Sequence, residues 1–183
     1  MLAPPFSFGA TLRPDELAQL GQLSLRWSGI ELVVGHCLKS MLRLTEEEAD
    51  VVVFPLSVEQ RLQKIRAIVA FTELNAKGRA AFKELTAVMP AIQYVRNTAV
   101  HAFVSESADG KHVFHSRGRR SHTKDEILSV EELTNYAAHV ALAFRYALGL
   151  NNDPDRRYPL PATRPKVPEF LLDKLGGPKS KKR

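Results

Sequence analysis

"YVRNTAVHAF", Tyr94 to Phe103, sets an arginine, an asparagine and a histidine into what otherwise reads as the buried apolar end of a helix. A helix running into a core would be expected to carry alanine, leucine or valine at these positions, because each buried polar head without a partner costs about 1–3 kcal/mol. Three such heads so close together mark a site, and the elements on either side of them decide the fold.

Upstream, apolar residues recur at Leu20, Leu23, Trp27, Ile30, Val34, Cys37 and Met41. That is helical periodicity sustained over about seven turns, and it predicts one long helix across Leu17 to Leu44. "TEEE" (Thr45–Glu48) and "SVEQ" (Ser57–Gln60) both fit the capping box, with Pro55 breaking the chain between them. A second long helix is therefore expected from Val58, burying Leu62, Ile65 and Val69. After the turn "NAKG" a third runs from about Arg79, is interrupted or kinked at Pro90, and carries the motif at its end. A fourth opens at another capping box, "SVEE" (Ser129–Glu132), buries Leu133, Tyr136, Val140 and Phe144, and stops at Gly149. Between the third and fourth helices, "FVSESADGKHVFH" places two short runs around Asp109-Gly110, a strong hairpin signal. The expected fold is all-α, a four-helix bundle with a small β-hairpin inserted between helices 3 and 4.

The chain has 183 residues and 44% hydrophobic content, enough for one domain with a proper core. No transmembrane run is present, and "MLAPPFSFGATLRPDE" lacks the basic head and apolar stretch of a secretory signal, so a cytoplasmic protein with no membrane partner is expected. The single cysteine, Cys37, has no disulfide partner and no ligand-spaced companion, and reads as a small core residue. The formal net charge of +6 is concentrated at one end. From Pro154 onward there are nine Lys/Arg against three Asp/Glu and six of the eleven prolines, while residues 1–153 hold seventeen of each charge sign. The division is thus a helical domain over 1–153 and a Pro-rich basic tail over 154–183, extended and mobile apart from a short apolar anchor at "PEFLLDKL". Such a tail either attracts nucleic acid or serves solubility. Glycine-rich phosphate loops, HExxH patterns and internal repeats are absent from the sequence, and no cofactor is expected.

A helical bundle whose third helix ends in "RNTAVH" resembles the HEPN superfamily, whose hallmark is an R-x4-6-H motif with a polar residue, often asparagine, after the arginine. The long first helix with "WSGIE" (Trp27–Glu31), the hairpin after the motif and the last helix opening "SVEELTNYAAHV" extend the likeness over about Leu17 to Leu150. A glycine often follows the histidine in such proteins, whereas here it is Ala102. The resemblance implies a homodimeric all-α domain. Many members are metal-independent endoribonucleases of toxin–antitoxin or defence systems, and others bind nucleotide, RNA or a partner protein without catalysis.

The residues themselves suit RNA cleavage. His101 can accept or donate a proton near neutral pH without a metal. Arg96 keeps its charge at any working pH and offers a planar fork to the phosphate. Asn97 lies four residues before His101 on the same helix face, where its amide could hold the imidazole in place. Gln93, one turn earlier, extends the polar stripe toward substrate. Five helical steps, however, set Arg96 and His101 about 140° apart around a straight helix. Either the helix unwinds before His101 or a second chain completes the site across a two-fold axis. Structural readings stand beside these: Arg96 could bond helix-end carbonyls, and His101 could be favoured by the helix dipole. Glu31, flanking the apolar stripe of the first helix, needs a partner, which could be Arg96, Asn97 or Lys64, or water at a solvated edge.

Beside the hairpin, "HVFHSRGRRSHTK" offers phosphate contacts from Arg117, Arg119, Arg120 and Lys124. His112 and His115 are three apart on a strand and face opposite ways, which argues against a metal site; His36 and His139 read as ordinary helix residues. Two functions from different classes follow. One is a HEPN-type ribonuclease acting on RNA and met by an antitoxin or other partner protein. The other is a non-catalytic dimeric HEPN module that binds nucleic acid or a partner.

Overall fold

The computed structural model describes residues 14–101, 103–106, 112–115, 121–123, 130–150 and 162–168. Its core is all helical. Among the described residues there are five helices: α1 (Pro14–Leu42), α2 (Glu46–Val52), α3 (Val58–Val69), α4 (Ala76–His101) and α5 (Val130–Ala147). α5 packs along both α1 and α4, and α3 packs along α1.

The expected four helices thus become five, because the capping box at Thr45 opens a short helix before Pro55 stops it. Thr45 accepts from the Glu48 amide, and the Glu48 carboxylate accepts from the Thr45 amide at 2.8 Å. Ser57 and Gln60 make the same reciprocal pair at the start of α3. Two helices also start earlier than the periodicity indicates. Pro14 occupies the first position of α1, where its missing N–H costs nothing. At the start of α4, Asn75 Oδ1 accepts from the Gly78 amide at 2.8 Å, so "NAKG" is a helix cap and first turn rather than a free turn. The Ser129 cap expected for α5 lies outside the described residues.

α1 ends where Arg43 adopts φ 57°, a left-handed value, letting the Leu44 amide reach back to the Lys39 carbonyl at 3.1 Å. α5 ends the same way at Gly149, with φ 74°, where glycine meets no steric penalty. Leu23, Trp27, Ile30, Val34 and Cys37 of α1 are all buried, against Leu62 and Ile65 of α3, Leu85, Val88, Met89 and Ile92 of α4, and Tyr136, Val140 and Phe144 of α5. Cys37 is a core residue as expected, and burial pushes its thiol up to about 12.

Between α4 and α5 three short strands pair antiparallel in chain order: β1 (Phe103–Glu106), β2 (His112–His115) and β3 (Ser121–Thr123). Phe103 faces His115 and Glu106 faces His112 in register. The third strand, which pairs His122 with Phe114, departs from the expected two-stranded hairpin, and the Asp109-Gly110 turn lies outside the described residues. The tail also differs from expectation. Within it, residues 162–168 lie on the helical core, with Val167 packed against it and Pro168 buried. Among the described residues, no helix is long and apolar enough to cross a membrane.

Candidate active site

The site is built on the last turns of α4. Along this helix Leu85, Val88, Met89 and Ile92 form the buried stripe, and Arg96 follows Ile92 by one turn on the same face. Its guanidinium is consequently half sunk: Nε is shut off from water and has no hydrogen-bond acceptor among the described residues. Nη1 donates to Asn97 Oδ1 at 3.0 Å. A buried donor without an acceptor is unfavourable, and the part of the fork open to an anionic oxygen is its exposed Nη end.

α4 remains helical through His101, despite Pro90. Unwinding before His101, one of the two routes open from the sequence, does not occur. The backbone positions of Arg96 and His101 therefore stand about 140° apart around the helix and about 7.5 Å apart along it. Two groups so placed on one helix do not converge on one atom.

Of the other expected site residues, Asn97 is exposed and Gln93 half-buried one turn before it. Asn97 has its amide oxygen engaged by Arg96, a role that the sequence reading did not assign. The side chain of His101 lies outside the described residues, as do those of Arg117, Arg119, Arg120 and Lys124. Glu31 is held elsewhere. It accepts from Trp27 Nε1 at 2.6 Å, one turn back on α1, and no hydrogen bond or ion pair joins it to Arg96, Asn97 or Lys64 among the described residues. The "WSGIE" stretch thereby satisfies a buried indole N–H. Glu31 also stands near Arg61, whose guanidinium it helps keep charged against the larger effect of burial.

Arg61 is a buried charged residue that the sequence reading missed. It donates to three carbonyls: Nε to Val53 at 3.2 Å, Nη1 to Glu31 at 2.6 Å and Nη2 to Phe54 at 2.7 Å. It ties α1, α3 and the end of α2 together, beside an open groove of about 440 Å³ whose walls include Glu31, Glu46 and Asp50. A signal for Arg61 was present, since it sits three residues after Val58 and four before Ile65, on the buried face of α3.

Tyr94 also went unassigned. It is 48% exposed and lies one turn before Asn97. Compared with protein-family models, with curated proteins and with solved structures, the chain matches none.

Proposed function

We propose that the protein is a metal-independent endoribonuclease of the HEPN type, acting as a homodimer. The observation that carries this reading is the half-sunk Arg96, whose Nε has no acceptor among the described residues and which stands on the helix bearing the Arg-Asn…His motif. With Nε sunk, the guanidinium is held with its exposed Nη end free to meet phosphate oxygens beside Asn97.

In the proposed reaction the ribose 2′-oxygen attacks the adjacent phosphorus, and the bond from phosphorus to the 5′-oxygen of the next nucleotide breaks. His101 moves the proton, taking it from the 2′-hydroxyl and, as the imidazolium, delivering it to the departing 5′-oxygen. Arg96 offsets the charge that builds on the phosphorane oxygens. Asn97 holds the Arg96 fork in place through its 3.0 Å hydrogen bond. Since α4 stays helical through His101, each centre takes Arg96 from one protomer and His101 from its partner.

The test is incubation of purified protein with end-labelled RNA in EDTA. The products expected carry 2′,3′-cyclic phosphate and 5′-hydroxyl ends, and His101→Ala abolishes cutting while leaving the dimer folded. A metal requirement rejects the mechanism. Failure of clean wild-type protein to cut any RNA supports instead the non-catalytic module that binds nucleic acid or a partner protein.

A further inference from the structure

Far from the motif, three residues distant in sequence meet on the outer side of α4 and α5. Tyr136 of α5 donates from Oη to Glu84 Oε1 of α4 at 2.5 Å. Arg164 donates from Nη2 to the same carboxylate oxygen and to Tyr136 Oη at 3.2 Å, and its guanidinium carbon stands 6.0 Å from the centre of the Tyr136 ring. The tyrosine is fully buried, yet the ion pair it supports is at the edge: 55% of the Arg164 side chain and 19% of the Glu84 side chain are exposed. Water can therefore reach the tie without the core opening. Three residues further on, Val167 packs against the core and Pro168 is buried, so the segment is held at two points.

His139 lies one turn beyond Tyr136 on α5, and its Nδ1 is buried with no hydrogen-bond partner among the described residues. The charged groups that act on it are Arg164 from the segment and Glu84 from α4, both hydrogen-bonded to Tyr136 one turn back on its own helix. Burial, followed by the Arg164 charge, holds its imidazole below the ordinary histidine value, with Glu84 opposing.

We propose that residues 162–168 form an acid-releasable strap across the seam between α4 and α5, caught by Glu84 and Tyr136 through Arg164 and opened when His139 is protonated. The inference is independent of the ribonuclease reading. A proton on His139 places a second positive charge beside Arg164 and charges a half-buried ring whose Nδ1 is shut off from water and has no acceptor among the described residues. Because strapping depresses the histidine, the strapped state has its full advantage above the free histidine value of about 6.5 and loses it as pH falls through the depressed value. The released state binds the proton first.

The test places a nitroxide on the full chain at Thr163→Cys, an exposed position in the segment. Cys37 is buried, with its thiol pushed up to about 12, and stays unlabelled. At pH about 8 the spectrum should show a slowly moving label, and the mobile component should rise several-fold as pH falls to about 5.5. Glu84→Ala should raise the mobile component already at the higher pH, and His139→Gln should flatten the pH response. Helix content by circular dichroism should hold throughout. A label that is mobile in wild type at high pH, or immobile in Glu84→Ala, overturns the strap. A pH response that survives His139→Gln, or that accompanies loss of helix, overturns the release.

Discussion

Arg66 of α3 donates from Nη2 to the Thr86 carbonyl of α4 at 3.2 Å, and Thr86 is the residue four before Pro90. Proline has no N–H to return to that carbonyl, so the helix interior carries an acceptor without its usual donor. Arg66 supplies one from the neighbouring helix. This explains how α4 tolerates Pro90 and still reaches His101 as one element. Arg66→Met should cost about 1 kcal/mol in urea unfolding. In a Pro90→Ala background the backbone amide restored at that position takes over the Thr86 carbonyl, and the same substitution should cost a few tenths at most. Equal losses in both backgrounds would show that Arg66 acts otherwise.

Arg61→Met should lower stability by about 3 kcal/mol, because it strands the Val53, Glu31 and Phe54 carbonyls around a hole in the α1–α3 packing. Arg61→Lys should recover little of the loss, since one ammonium cannot reproduce the three-way fork. Chemical denaturation of the three proteins measures this, and a lysine variant as stable as wild type would contradict it.

Arg43→Gly should stabilise the chain by about 0.5–1 kcal/mol, because Arg43 holds φ 57°, where a side chain is strained and glycine is not. Gly149 already provides glycine at the equivalent position after α5. A midpoint unchanged or lowered in urea would show that the Arg43 side chain contributes more than its backbone costs.

The helices were legible because their signals are local. Thr45 with Glu48 and Ser57 with Gln60, each pair three residues apart, announce helix starts, and the α1 stripe from Leu23 to Cys37 follows the helical period into the core. The starts of α1 and α4 lie earlier than the periodicity indicates because Pro14 and Asn75 act about one turn outside the apolar pattern. Long-range polar contacts were not legible. Nothing near Glu84 announces Tyr136, 52 residues away, or Arg164, 80 away, since such pairs exist only once the helices have packed. Composition made the tail look extended up to the apolar anchor that opens at Pro168, whereas the packed segment already includes Val167 and the Arg164 tie ahead of it. At the motif, spacing alone gave the angle between Arg96 and His101. It could not say whether the helix would persist between them, which rests on how the rest of α4 is supported.

The proposal that each centre draws Arg96 from one protomer and His101 from the other is tested most directly by complementation. Arg96→Ala and His101→Ala dimers should each be inactive on RNA in EDTA. After subunit exchange, confirmed by native mass spectrometry, about half of the dimers are mixed, and each mixed dimer keeps one intact pair. Activity should return to roughly a quarter of wild type. Complete exchange with no recovered cutting, against an active wild-type control, would contradict the cross-chain site.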